Sequence, residues 1–461
     1  MGITAAYMVP HPPLIVPEIG RGEERKIQST IEAYREVAGE VGTYKPETIV
    51  LLTPHQIMYS DYFHISPGES AEGDFGQFGA SHVKINVSYD RAFADMLCEM
   101  AKSAGLPAGT LGEREKRLDH GSLVPLYFIN QCYRAYRLVR IGLSGLPFHR
   151  HYELGQYIQE TADRLNRKTV VIASGDLSHR LKEEGPYGYR AEGPDYDSRI
   201  MDVMGNGRFG ELFGFSEDFC DRAGECGHRS FVIMAGTLDG RTVSARRLSY
   251  EGPFGVGYGI CAFAAGDSDS DRRFGEQQQR QEREKIQKLR EQEDAYVELA
   301  RKTVETFVRT GRQIEVPGGL PGELYGQKAG VFVSIKENGR LRGCIGTIQA
   351  TQDSIAQELI CNAVSAAARD PRFDPIEAWE LDDLVISVDV LGEAEKIDSP
   401  EELDVRRYGV IVTSGYRRGL LLPNLEGVDT VAEQVAIAKQ KAGIGEEEPS
   451  QLERFEVVRH K

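Results

Sequence analysis

Nine of the ten histidines in this chain stand before residue 229, and several sit where an apolar run has just ended. His11 follows "AAYMVP" and is flanked by Pro10, Pro12 and Pro13. His55 closes "TIVLLTPH" and His179 closes "VVIASGDLSH". His120 stands in "RLDHGSLVPL", at the expected start of a helix and just after an acidic residue. "RAGECGHRS" then offers Glu225, Cys226 and His228 close together. Prolines lock φ and bias the residue before them toward extended backbone, so His11 is held on a stiff segment, which suits a metal ligand. Two imidazoles and one carboxylate form a facial triad with open positions, the set used by non-haem Fe(II) oxygenases. A thiolate in the third place makes a softer site that also suits Cu(I) or Zn. A further histidine, with its ordinary pKa near neutrality, can move protons. His64, His82, His149 and His151 read as loop or surface residues, and His460 as tail.

Ligands this far apart in sequence need elements that bring them together. The runs "AAYMV", "TIVLLTP", "YRLVRIGLSG" and "KTVVIAS" are short, β-branched and followed by Gly, Pro or Ser, which reads as strands. Helical stretches such as "RAFADMLCEMAKSAG" and "YELGQYIQETADRLNRK" lie between them. This alternation predicts an α/β domain over residues 1–265, a central sheet flanked by helices. In such sheets ligands gather at the carboxyl ends of the strands, where three of these histidines fall.

The composition changes at Gly266. Residues 266–288 are almost free of apolar side chains and read as a polar, charged linker, its later part rich in helix formers. From 289 to 461 the pattern predicts a smaller α+β domain. It opens on the amphipathic stretch "AYVELARKTVETFVRTG". A hairpin follows, "GVFVSIKENGRLRGCIGTI", with an Asn-Gly turn at 338–339. Then come a helix over 354–369 and a strand in "LVISVDVLGEAEKI". Within the hairpin, "RGCIG" places Cys344 between two glycines with Arg342 nearby. Either a ligand approaches the thiol and Arg342 lowers its pKa or binds an anion, or the glycines form a bulge and the cysteine packs.

The net charge is −16, which argues against non-specific nucleic-acid binding. No apolar run approaches the roughly 20 residues that span a bilayer. The N-terminus lacks the pattern of a signal peptide. The seven cysteines are odd in number, without CxxC pairs, and read as reduced thiols, mostly core residues, in a cytoplasmic protein.

The motifs "HPPLIVPEIG", "TPH", "DHGSLVPL" and "SGDLSH" resemble those of the LigB-type class III extradiol dioxygenases and their Memo relatives. The second half resembles the AMMECR domain through "LRGCIGT" (341–347), "ARDPRF" (368–373) and "GLLLP" (419–423). Together they resemble AmmeMemoRadiSam system protein A with a fused dioxygenase-like domain. The resemblance implies Fe(II) held by His11, His55 and Glu225, His179 as catalytic acid/base and His120 lining the pocket. It implies a catechol-like aromatic substrate and O2. Memo-type proteins place a cysteine of a "CG" motif where the dioxygenases place glutamate, and "ECG" supplies both. Neighbouring residues on an extended segment point to opposite sides, so one of the two is expected at the metal. Glu225 is favoured and implies oxygen chemistry. Cys226 is the alternative ligand, with Zn or Cu, and implies a metal-binding partner module that works with a radical SAM protein. An oligomer is compatible with either.

Overall fold

Alternation along the first strand, β1 (Ile3–Val9), sends Ala6 and Met8 into one core and Tyr7 and Val9 into another. The strands Thr48–Thr53 (β2), Arg137–Gly142 (β3) and Thr169–Ser174 (β4) divide their side chains in the same way. A sheet buried on both faces needs such near-continuous apolar strands. The computed structural model describes residues 2–337, 339–425 and 427–461 and divides the chain into two units, Met1–Gln279 and Arg280–Lys461.

In the first unit two long strands, Arg241–Glu251 (β5) and Tyr258–Ser268 (β6), complete a six-stranded sheet in the order β3-β2-β4-β1-β6-β5. β3, β2, β4 and β1 are parallel, whereas β6 runs antiparallel to β1 and β5. One core holds residues of helices Gln28–Tyr44 (α1) and His120–Cys132 (α3). The other holds residues of Arg91–Ser103 (α2), Phe148–Arg164 (α4) and His228–Gly236 (α5). α4 and α5 touch through glycines: a Cβ on Gly155 would lie 2.0 Å from the carbonyl oxygen of Ile233. The expected α/β class, a central sheet flanked by helices, is what the chain forms, with β6 and β5 making the sheet mixed.

Residues 266–288 carry a helix in their later part, where the sequence offers helix formers. They contain the end of β6 and most of a helix, Phe274–Arg290 (α6), inside which the division between the units falls. Gln, Glu, Arg and Lys are good helix formers, and this composition, read as solvated, is equally that of an exposed helix. Phe274 anchors its start against the core of the first unit.

The second unit is the smaller, β-rich α+β part. Helices Ala295–Thr310 (α7) and Ile355–Ala368 (α8) share a core with strands Val331–Glu337 (β7), Arg340–Gly346 (β8) and Leu384–Leu391 (β9). The hairpin pairs Glu337 with Arg340, and Gly339 takes φ 79°, a value that favours glycine. Asn338 of the expected turn lies outside the described residues. The single strand expected over 384–397 is two: β9 ends at Leu391, and Glu395–Ile397 (β10) joins another sheet. That sheet has the order β10-β13-β11-β12, with Gly409–Ser414 (β11), Arg417–Leu421 (β12) and Gln451–Phe455 (β13). Helix Val431–Lys441 (α9) packs on β12 and β11. The last strand, Val457–His460 (β14), pairs with β9.

Three histidines depart from their expected places. His64 and His151 are fully buried, not on loops or at the surface. Each imidazole is accepted there because it is neutral and partly hydrogen-bonded, His64 Nδ1 to Gln56 and His151 Nδ1 to the Pro147 carbonyl. His460 is no free tail: its ring stacks on Tyr296 and its Nδ1 meets Asp294. Of the cysteines expected to be mostly core residues, Cys220 and Cys261 are buried, Cys98, Cys226, Cys344 and Cys361 are half-buried and Cys132 is exposed.

Candidate metal centre

Parallel strands put their carboxyl ends on one edge, and β2, β4 and β1 are consecutive there. His55 follows β2, Ser174 ends β4 and His11 follows β1. His11 Nε2 and His55 Nε2 are 2.8 Å apart, and Cys226 Sγ lies 3.7 Å from His11 Nε2. The three ligand-type atoms all lie within 4.8 Å of one another. Nitrogen and sulfur ligands of one ion, at about 2.0–2.3 Å from it, sit roughly 3–4 Å from each other, so this cluster matches a single ion. His11 is buried, Cys226 half-buried and His55 open to solvent.

The tautomer of His11 follows from its neighbours. Ser174 Oγ donates its one proton to the Gly121 carbonyl at 2.6 Å. It therefore accepts from Nδ1–H of His11 at 2.9 Å, which leaves the Nε2 lone pair toward the centre. The backbone beside it is held as well. Asp176 Oδ1 accepts the His11 N–H at 2.7 Å, and Tyr34 donates its hydroxyl to the Pro10 carbonyl. Burial pushes His11 well below the usual histidine range, with His120 and His179 adding repulsion. His55 is drawn down to about 3 by desolvation, then by His11 and His120. Both rings are thus neutral at pH 7, as metal ligands must be.

Cys226 reaches the pair because two glycine-bearing loops touch. A Cβ on Gly175 would lie 2.1 Å from the Gly227 Cα, so "SGD" and "ECG" can approach only as glycines. The contact sets Cys226 Sγ 3.3 Å from the Asp176 N–H. Burial raises the thiol well above its ordinary value, with Asp176 and Glu225 adding to it. A bound cation reverses that preference and takes the thiolate.

Glu225 is placed elsewhere. Its Oε2 accepts the His228 N–H at 2.5 Å, at the amino end of α5, and burial pushes the carboxyl up to about 7. A helix start offers unpaired N–H groups and a positive dipole end, which draw a buried carboxylate. Of the two adjacent donors, the structure brings Cys226, not the favoured Glu225, to the histidine pair.

His120 and His179 complete the surroundings. Asp119 caps α3 by accepting the Ser122 N–H, and its Oδ1 also accepts Thr53 Oγ at 2.6 Å. The start of α3 is thereby tied to the end of β2, and the His120 ring lies 3.9 Å from that of His55. Behind Asp119 lies Arg140, buried, with Nη1 3.8 Å away. Among the described residues His179 Nε2 is buried without a hydrogen-bond partner, and the ring stacks on Tyr187 at 5.2 Å. Desolvation lowers the His179 pKa. Ser174, Asp176 and Tyr187 escaped the sequence reading. The signal for Ser174 was its place as a hydroxyl directly after the apolar run Val170–Ala173.

In the second unit Arg342 does not serve Cys344. Its Nε and Nη2 grip Glu380 at 2.6 and 3.1 Å, and Nη1 donates to the Asp374 carbonyl. The glycines of "RGCIG" permit packing: a Cβ on Gly343 would lie 2.2 Å from the Ala366 carbonyl oxygen, and one on Gly346 would enter the Phe332 ring.

Residues 5–261 match the family model of the catalytic LigB subunit of aromatic ring-opening dioxygenase, and residues 297–460 match that of AMMECR1. The Clostridium acetobutylicum protein CA_C1420 is 41% identical over all of both chains. A Thermotoga maritima protein is 49% identical over 37% of this chain and 98% of its own. The crystal structure of the uncharacterized protein PH0010 from Pyrococcus horikoshii covers 36% of this chain and 88% of its own, at 34% identity and a TM-score of 0.34. No helix among the described residues is long and apolar enough to cross a membrane. With a LigB match over more than half its length and a full-length relative of this identity, the chain belongs to the LigB dioxygenase family and carries an AMMECR1 domain behind the LigB domain.

Proposed function

We propose that the first unit is a Memo-like metal-binding module whose ion is held by His11, His55 and Cys226, working with a radical SAM protein rather than turning over an aromatic ring. The observation that carries this reading is the third donor. A sulfur completes the set, while the neighbouring carboxylate is spent on a helix terminus. Two imidazoles and a thiolate fit Cu(I) or Zn better than the two-histidine, one-carboxylate set of Fe(II) oxygenases. The ion supplies a Lewis-acid or ligand-binding centre when bound. The chain's own residues orient it: Ser174 fixes the His11 tautomer and Asp176 holds the His11 backbone.

The test is metal binding by purified protein with Cu(I), Zn and Fe(II) in turn. One Cu or Zn per chain, lost in Cys226→Ser and kept in Glu225→Gln, is the expected result. Loss in Glu225→Gln with retention in Cys226→Ser overturns the assignment. Co-purification with a radical SAM protein from the producing cell tests the partner.

Extradiol ring cleavage of a catechol-like aromatic with Fe(II) and O2 is the second reading, and His179 favours it. A buried imidazole nitrogen without a partner, beside the centre, is placed to exchange a proton with a bound hydroxyl group. Oxygen uptake with a yellow ring-opened product on Fe(II)-loaded protein would establish this reading over the first.

A further inference from the structure

Arg140 lies within β3 between Val139 and Ile141 and is 1% exposed. An arginine keeps its charge when buried, so acceptors must offset the lost water. Its Nε donates to Ser66 Oγ at 2.8 Å, Nη1 to the Arg117 carbonyl at 2.7 Å and Nη2 to the Glu115 carbonyl at 3.2 Å. The Asp119 carboxylate lies 3.8 Å from Nη1.

Two branches of this set run to His55. Asp119 Oδ1 accepts the Thr53 hydroxyl at 2.6 Å, and Thr53 Oγ1 accepts the His55 N–H at 3.3 Å. On the other side Ser66 Oγ accepts Gln56 Nε2 at 2.8 Å, and Gln56 follows His55 directly. The guanidinium thus brackets the segment 53–56 that carries the ligand. Its contacts to the carbonyls of 115 and 117 fix the chain just before Asp119 and His120, whose ring lies 3.9 Å from that of His55. A clamp for loops alone would need only those carbonyls. His11 is fixed by burial and by Ser174, but His55 is open to solvent, so its place depends on how its backbone is held. We propose that Arg140 is a positioning residue of the metal centre, holding His55 from both sides and setting His120 against its ring. This rests on the reading of His55 as a ligand of the ion.

Affinity of the full-length chain for Zn, or for Cu(I) if the parent chain binds that alone, is read by competition with a chelator. Arg140→Lys keeps a charge but loses the planar fork that reaches Ser66 and two carbonyls, and should bind the ion about tenfold more weakly. Thr53→Val and Ser66→Ala each cut one branch and should show part of that loss. Adding Thr53→Val to Arg140→Lys should cost less than the sum of the two, because both act through one chain of contacts. Val139→Ala is the control: it opens a cavity in the core that α2, α4 and α5 share, lowers the urea midpoint and should leave the affinity unchanged. Unchanged affinity in Arg140→Lys, additive losses in the double variant, or an equal loss in Val139→Ala overturns the proposal. If Arg140→Lys does not fold, a loss in either branch variant supports it, and unchanged affinity in both overturns it. A parent chain that binds neither ion would instead sink the ligand reading. The placing of His120 is then read without metal, as its rate of acylation by diethyl pyrocarbonate. That rate should rise in Arg140→Lys and not in Val139→Ala, and an unchanged rate overturns the proposal.

Discussion

The first unit buries four imidazoles beside the acids Asp90, Asp176 and Asp197, while the second, among the described residues, buries carboxylates and no histidine. His11, His64, His151 and His228 are all buried in the first, at most 2% exposed. The second buries Glu358, Asp370, Glu380 and Asp389. A histidine enters a core by giving up its charge, which costs little near neutral pH. A carboxylate keeps its charge only if donors surround it. Three of the four acids accordingly hold an arginine: Asp370 with Arg372, Glu380 with Arg342 and Asp389 with Arg459. Glu358 instead accepts from Thr347 and from the Thr351 and Gln352 backbone. Neutral imidazoles at strand ends leave lone pairs for a cation. Arginines tied to acids instead spend their charge within the fold.

The largest test of this contrast is the ligand exchange at "ECG". Cys226→Ser should weaken Cu(I) or Zn binding by roughly a hundredfold or more, and His11→Ala should do the same, read by competition with a chelator. Ser174→Ala frees the His11 tautomer and should cost about tenfold in metal affinity by the same assay. Retained affinity would show that the hydroxyl does not orient the ring.

Acid should separate the units. Burial holds the folded His64 near 4 against an ordinary value of about 6.5. Between those values the unfolded chain binds a proton that the folded chain refuses, so the contribution of His64 to the first unit is lost as pH drops from about 6.5 to about 4, as it is for the other buried histidines, while the raised carboxyl of Glu225 works against them. Asp370 works the other way. Its hydrogen bonds to Arg372 hold it at about 2, so its contribution is present above the ordinary carboxylate value and is lost only as pH falls toward about 2. Pulsed hydrogen exchange at pH 7, 5 and 4 should show first-unit peptides losing protection before those of the second. The reverse order would break the comparison. The smallest effect is expected for Glu225→Ala, which removes the acceptor at the start of α5. It should cost about 1 kcal/mol in urea unfolding and leave the metal stoichiometry unchanged.

Much of the centre was legible because its constraints are local. Prolines stiffen the backbone around His11, and a β-branched run carries His55 to a sheet edge. Asp119 caps the helix that His120 begins, as its place in "DHG" announced. The remainder depended on partners distant in sequence. His64 and His151 looked peripheral because their burial comes from contacts that no local pattern encodes. The polar run after Gly266 looked like linker because exposed helix and solvated chain share a composition.

By itself the sequence determined the classes of structure and the kinds of donor: an α/β sheet whose strand ends present histidines, a hairpin domain after it, and a choice of sulfur or carboxylate at one loop. Only the tertiary structure places Cys226, rather than Glu225, beside the histidine pair. Adjacent residues point apart, and which one faces the histidines depends on how Gly175 meets Gly227 and on the amino end of α5 claiming Glu225. It also decided which arginine attends Cys344. Arg342, two residues away along the strand, is taken by Glu380, and Arg372, distant in sequence, is brought in by Asp370. A side chain's chemistry is written in its own residue, but the partner that uses it is set by burial and by competition among donors and acceptors.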